Sequence, residues 1–185
     1  MHDIMTNDLD DLFQGQKADI FYSDPPWGAG NLNFWRTHNN QKGHPTNWNE
    51  FVHRVKYLAD RHTTGAKFIE TGLRFEQDII AVFGQPVGRY VIKYKAGGKI
   101  LDNLLLAYGE RPIDDPTGKS GFAVPYTAIS SLQSKPKSVF DCCVGLGTTA
   151  KVAKKLGMIC YANELNPNRA AKTMKILDFE IMGKD

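Results

Sequence analysis

"SVFDCCVGLGTTAKVAKKLG", residues 138–157, opens as a short β-rich run, turns on glycines and continues with the spacing of a helix. The helix is expected over residues 148–156, ending at Gly157, because glycine accepts the left-handed conformation that closes many helices. Gly145, Gly147 and Ala150 stand in a G-x-G-x-x-A spacing. Glycines placed there let the backbone turn tightly into a helix and approach a ligand at its N-terminus. The next apolar run, "ICYANE", ends on Glu164, whose carboxylate is placed to accept from a pair of ribose hydroxyls. These residues alone leave three readings open: a nicotinamide dinucleotide site, a site for another adenosine cofactor, and a tightened turn that holds no ligand.

The rest of the chain alternates in the same way. The β-rich runs "ADIFYSD", "KFIET", "RYVIKYK", "NLLLAYG", "SVFDCC" and "ICYANE" are separated in several places by helical patterns. From Trp48, the positions Phe51, Val52, Val55, Leu58 and Ala59 share a face, with Asn47 and Glu50 spaced as a capping box. Another helix is expected from Asn166-Pro167, a cap followed by a first-turn proline, with Ala170, Met174, Leu177 and Ile181 on its buried face. Strands alternating with helices predict an α/β sheet covered on both faces. "RYVIKYKAGGKILDNLLLAYG" departs from the pattern, since two strands joined through Gly97-Gly98 predict an antiparallel pair at one edge. "GERPIDDPTGKSGFAVP", residues 109–125, is the one long loop-like stretch.

A chain of 185 residues suits one domain with a real core. Its 42% hydrophobic and 23% charged content is that of a soluble globular protein. No apolar run approaches the ~18 residues of a membrane span. No secretory signal is seen at "MHDIMTND", and three cysteines, two of them adjacent, are too few and too badly spaced for a disulfide framework or a zinc site. Both features point to a cytoplasmic location. The net charge of +3 permits a phosphate-bearing partner without requiring one. The basic clusters "KPK", "KVAKK", "RAAKTMK" and "IKYKAGGK" read first as solvated faces.

"YSDPPWG", residues 22–28, puts a carboxylate, two prolines and a large aromatic at the end of an apolar run. Pro25 and Pro26 fix φ and remove backbone donors, which makes a stiff elbow with carbonyls free to accept. The alternative is a plain strand-ending turn. "TGKSG" lacks the phosphate-loop glycine, because Ile113 stands in its place, and Leu12 spoils a calcium-loop reading of "NDLDDL". His38, His44, His53 and His62 have no metal-ligand spacing, so no metal is expected. The polar aromatic stretch that follows the elbow offers Phe34, Trp35 and Arg36 as stacking and phosphate contacts over a base, or is a surface loop anchored by its aromatics.

"SDPPW", "FDCCVGLGTT" and "ANELNPNR" together resemble the S-adenosylmethionine-dependent amino-methyltransferases that act on exocyclic amines of nucleobases, chiefly N6 of adenine in DNA. The resemblance runs over nearly the whole chain, and the order of motifs is that of the permuted β class. It implies a Rossmann-like methyltransferase fold: a mostly parallel, seven-stranded sheet in the order 3-2-1-4-5-7-6 with an antiparallel edge hairpin. It also implies a single domain, with a catalytic half at residues 1–110, a loop at 111–125 where larger relatives carry a target-recognition domain, and a cofactor half at 126–185. The catalytic motif falls on Asp24, Pro25, Pro26 and Trp27. Asp24 and the Pro25 carbonyl would each accept one N–H of the target amine, and Trp27 would stack on the base. Binding of S-adenosyl-L-methionine falls on Asp141, Cys143, Gly145, Gly147, Thr148, Thr149, Glu164 and Leu165, with Asp8 reaching the cofactor's adenine. Cys142-Cys143 stands where the family has Pro-Phe, and Leu146 where it has a small polar residue. N4 of cytosine and RNA are the alternative acceptors, and a non-catalytic, nucleic-acid-binding subunit is the alternative role. So short a loop at 111–125 points to a homodimer or partner subunit that supplies DNA contacts.

Overall fold

In the computed structural model, which describes residues 2–39 and 47–177, every β-rich run of the sequence becomes a strand. In chain order the elements are α1 (Asp10–Phe13), β1 (Ile20–Ser23), α2 (Gly28–His38), α3 (Trp48–His62), β2 (Lys67–Gly72) and α4 (Glu76–Phe83). They continue with β3 (Gly88–Ala96), β4 (Lys99–Tyr108), α5 (Ala123–Ser130), β5 (Ser138–Asp141), α6 (Thr148–Leu156), β6 (Ile159–Ala162) and α7 (Pro167–Leu177). The strands form one sheet in the order β3-β4-β2-β1-β5-β6. The pairs β2/β1, β1/β5 and β5/β6 are parallel, and β4 runs antiparallel to both β2 and β3.

The sheet has six strands among the described residues, not seven. The expected order counts the glycine-motif strand, β5 here, as the first and the elbow strand, β1 here, as the fourth; in that count β6-β5-β1-β2-β4-β3 reads 2-1-4-5-7-6, and strand 3 beyond β6 is not among the described residues. Ile181 lies outside the described residues.

The central strands are apolar because both faces are covered. Ile20–Ser23 and Ser138–Asp141 are buried throughout. One face packs Phe21, Ile69 and Phe140 under α3, and the other packs Ile20, Phe68 and Val139 under α5 and α6. The α3 stripe is the one the sequence indicated: Phe51, Val52, Val55, Leu58 and Ala59 are all buried, each large side chain contributing about 1.5–3 kcal/mol by leaving water. Asn47 caps this helix by accepting from the Asn49 N–H at 2.9 Å, while Glu50 stands exposed in the first turn. Asn166 Oδ1 caps α7 by accepting from the Asn168 and Arg169 N–H groups. β3 and β4 meet through Gly97 and Gly98, both at positive φ, as a two-residue hairpin turn requires.

Two stretches read as loops are partly helical. The aromatic stretch after the elbow forms α2, and residues 123–125 already belong to α5, whose first turn tolerates Pro125 because the amide there needs no helical partner. Weak apolar periodicity hid both helices.

Gly147 precedes α6 at φ 78, and a Cβ there would come within 2.4 Å of the Thr173 Cγ2 of α7. Gly147→Ala is therefore expected to cost about 1–3 kcal/mol in urea denaturation, from left-handed strain and overlap together. In a Thr173→Ser background the loss should shrink, because the overlapping methyl is gone while a hydroxyl remains to donate to the Gly145 carbonyl. Equal losses in both backgrounds would place the whole cost in the backbone.

Candidate active site

Strand order reverses direction between β1 and β5, the place where a doubly wound sheet opens a crevice beyond its carboxyl ends. The two sequence motifs leave the sheet here, the elbow from β1 and the glycine turn from β5. Ser23 Oγ donates to Asp141 Oδ1 at 2.8 Å and ties the two strand ends together. Between them lies a cleft of about 360 Å³.

Asp24, Pro25, Pro26 and Trp27 line one side of the cleft. Asp141, Cys143, Gly145, Thr148 and Thr149 line the other, and Glu164 and Leu165 follow β6 into it. Gly147 does not line it; it turns the chain into α6 against Thr173. Of the aromatic stretch, Trp35 and Arg36 reach the cleft, whereas Phe34 points off it and is 53% exposed. The helical period separates them: α2 turns Phe34 outward. Asp8 stands away from the cleft, paired with Arg54 at 2.5 Å and accepting from the Tyr57 hydroxyl at 3.2 Å. The N-terminal segment enters instead through Asp3, Ile4 and Met5, fastened by Arg54 Nε donating to the Ile4 carbonyl.

Each of the four parallel strands delivers one carboxylate to this edge: Asp24 after β1, Glu70 in β2, Asp141 in β5 and Glu164 after β6. Glu70 was not singled out in the sequence. Its signal was an acid near the carboxyl end of the apolar run "KFIET", and the register Ser23↔Ile69 sets Glu70 beside Asp24. Tyr22, also missed, donates its hydroxyl to Glu70 Oε1 at 2.6 Å.

Crowded carboxylates hold protons. Asp24 is exposed at the cleft, yet protein crowded around its carboxyl raises it above the usual carboxylate range, the Glu70 and Asp141 charges add to the rise, and the Trp27 indole opposes it. Burial raises Glu70 to about 7, against the pull of the Tyr22 hydroxyl. Burial likewise raises Asp141 to about 6, opposed by the Thr149 hydroxyl, the Cys143 N–H and the Ser23 hydroxyl. The cations that line the cleft are engaged elsewhere: Lys93 with Asp102, Arg36 with Asp3 at 3.2 Å, and Arg169 over the Trp35 ring at 3.9 Å. Such a site favours a ligand that is positive or rich in N–H donors.

Trp27 packs edge-on against Tyr94 with ring centroids 5.1 Å apart. Its buried Nε1 is near enough to the Asp24 carboxyl to favour the charged form but makes no well-formed hydrogen bond among the described residues. Glu164 is held by accepting from the Asn166 N–H at 2.8 Å. Buried Asn163 pins the N-terminal segment by bonding both the N–H and the carbonyl of His2. Among the described residues no group of His, Cys, Asp and Glu could hold a metal ion, and no helix is long and apolar enough to cross a membrane.

The raised Glu70 has a measurable sign. The folded chain keeps a proton that the unfolded chain releases near 4.5, so the stability from this group is present below that pH and is lost as pH rises through about 7. Glu70→Gln, which can still accept from Tyr22, should gain melting temperature relative to the wild type between pH 5 and pH 8. Melting curves that stay parallel across that range would show Glu70 to titrate normally.

No family model matches the chain, and no curated protein sequence does. Solved structures do. M1.HpyAVI is 16% identical with a TM-score of 0.66, covering 95% of this chain and 96% of its own, and has also been solved as a complex with SAM. TTHA0409 of Thermus thermophilus, complexed with S-adenosyl-L-methionine, is 14% identical with a TM-score of 0.58, covering 96% and 93%. The cytosine-N4-specific PvuII DNA methyltransferase is 10% identical with a TM-score of 0.63, covering 92% and 84%. At these identities the likeness is one of fold, and the fold is the Rossmann-like one seen in these proteins.

Proposed function

We propose that this protein transfers a methyl group from S-adenosyl-L-methionine to an exocyclic amine in DNA, with N6 of adenine as the acceptor. The observation that carries this reading is the carboxylate-lined cleft in which the Asp24-Pro25-Pro26-Trp27 elbow faces the Gly145 turn and Glu164. The fold's likeness to DNA methyltransferases, two of them solved with the cofactor, supports it.

The cleft fits such a cofactor on its own terms. Its volume falls in the range of about 300–1,000 Å³ usual for small-molecule sites. Ile4, Val144 and Leu165 give it an apolar wall for a nucleobase, and Glu164 supplies an acceptor for ribose hydroxyls. Bound there, S-adenosyl-L-methionine would supply an electrophilic methyl group on a positive sulfur.

The remaining steps belong to side chains of this chain. An amine on adenine is a poor nucleophile, because its lone pair is delocalised into the ring. Asp24 and the Pro25 carbonyl each accept one N–H, which localises the lone pair and aims it across the cleft. The elbow's prolines hold both acceptors in place without ordering cost on binding. Beside a positively charged donor, Asp24 would lose part of its raised proton affinity and favour the carboxylate, which then stabilises the positive charge that develops on the nitrogen, an effect of about 3–4 kcal/mol for single groups of this kind. A base inside a duplex cannot reach Asp24, so it must swing out of the stack at a cost of about a few kcal/mol. In this reading the catalytic elbow belongs to residues 1–110 and the glycine turn and Glu164 to residues 126–185 of one domain, with Ile4 of the first half closing over the cofactor's side of the cleft. Trp35 lies at the cleft as a stacking contact for the target base, and Arg36, paired with Asp3 beside it, would reach a phosphate only by exchanging that partner.

Nucleosides from DNA exposed to the protein and the methyl donor should contain N6-methyladenine by mass spectrometry; N4-methylcytosine in its place would change the base and keep the chemistry. Asp24→Ala should lower single-turnover methylation at least ~10²-fold with little change in affinity for S-adenosylhomocysteine. Glu164→Ala should do the reverse, weakening that affinity in calorimetry. Wild-type rates in Asp24→Ala would reduce the elbow to a turn.

A further inference from the structure

The β3–β4 hairpin begins in the cleft wall and ends in solvent. Lys93 and Tyr94 line the cleft, and Tyr94 meets Trp27. Residues 118 and 119 cover the outer edge of β3 only up to Lys93, through the Gly118 N–H to the Val91 carbonyl and the Lys93 N–H to the Lys119 carbonyl. Beyond Lys93 no backbone group of the described residues bonds to that edge. The turn lies three positions past Tyr94, roughly 10 Å at about 3.3 Å per residue.

This overhang has an unusual surface. Ile100 is 64% exposed and Leu101 49% exposed, with Leu101 directly opposite Tyr94 and Ile100 opposite Lys95. Lys95 and Lys99 are exposed beside them and form no ion pair among the described residues, unlike Lys93, which is engaged by Asp102. Exposed aliphatic residues at a hairpin tip are a liability unless something covers them. Their cationic surroundings name the kind of partner, since two unpaired ammonium groups flanking an apolar edge complement a polyanion with an apolar interior.

We propose that the tip of this hairpin grips double-stranded DNA beside the nucleotide delivered to the cleft. The proposal rests on the methyl-transfer reading and identifies where the duplex lies. Lys95 and Lys99 contact phosphates, while Leu101, on the same face of the ribbon as the cleft residue Tyr94, occupies the space that a displaced base leaves in the stack, and Ile100, on the opposite face beside Lys95, packs against the groove wall. A two-stranded ribbon is of a size to enter the major groove, and apolar side chains are the usual wedges between base steps. The hairpin thereby does work for which residues 111–125 are too short.

Two double variants separate the parts. Lys95→Glu with Lys99→Glu should lower affinity for a labelled mixed-sequence DNA duplex at least ~10-fold at 0.1 M salt, and should reduce the slope of log affinity against log salt by about 2, near 0.9 for each phosphate left without its lysine. Ile100→Ser with Leu101→Ser should leave that slope unchanged but lower the fluorescence rise of a duplex carrying 2-aminopurine at the target position. Both variants should bind S-adenosylhomocysteine as the wild type does, because the tip lies outside the cleft, and this also verifies folding.

Wild-type duplex affinity, salt slope and fluorescence in both variants would overturn the proposal. So would a wild-type dimer that the serine variant converts to monomer with duplex binding unaltered, which would make the tip a subunit contact. Failure of the methyl-transfer reading has a different signature: no methylated nucleoside from the wild type, whatever the hairpin variants do to binding.

Discussion

The parallel pairing of β1 with β5 is the constraint on which everything else depends. Ile20 lies beside Val139 and Phe21 beside Phe140, and just beyond them Ser23 donates to Asp141 across strands 118 residues apart in sequence. Closing so long a segment costs entropy that grows only slowly with its length, and the cost is met by burying Ile20, Phe21, Tyr22, Val139 and Phe140 on the two faces of these strands. Because the chain leaves β1 toward β2 and leaves β5 toward β6, on opposite sides of the pair, no loop bridges their carboxyl ends. The crevice is therefore a consequence of topology, and the elbow and the glycine turn become its opposite walls.

Topology also explains the electrostatics. Four parallel strands ending at one edge place four acids together, with Asp141 buried, Glu70 and Glu164 half-buried and Asp24 open to the cleft. Asp24, Glu70 and Asp141 respond by holding protons above their ordinary range. The lining cations do not relieve them, since each is already committed to Asp102, Asp3 or Trp35. A cleft of this kind is strained in charge when empty of partners and relaxed by a cation or by N–H donors, a preference written into the sheet before any ligand is considered.

The antiparallel edge does a second task. β4 extends the sheet past β2, and β3 folds back along it, so the hairpin projects from the same rim that carries the elbow. The segment around Gly118 and Lys119 shields the inner part of the β3 edge and leaves the outer part bare. The cleft residues Lys93 and Tyr94 and the exposed tip thus belong to one two-stranded ribbon.

Local chemistry was legible in the sequence. All six strands, the α3 stripe, the ends of α6 at Thr148 and Gly157, the cap at Asn166 and the glycine hairpin follow from periodicity, propensity and turn residues acting within a few positions. The sequence singled out the residues of the two motifs while leaving a plain turn open for each, and the structure brings Asp24, Pro25, Pro26, Trp27, Gly145 and Glu164 to one cleft. What required the tertiary structure was whatever depends on a neighbour distant in sequence. Glu70 is an ordinary acid in "KFIET" until the β1/β2 register sets it beside Asp24. Asp8 and Asp3 are alike as letters, and only the positions of Arg54 and Arg36 decide that the first stays outside and the second reaches the cleft. Phe34 and Trp35 are adjacent aromatics that a helix sends in different directions. Periodicity reports which face of an element is apolar, but it carries no information about which strand lies alongside, and the charge of this site is set by that adjacency.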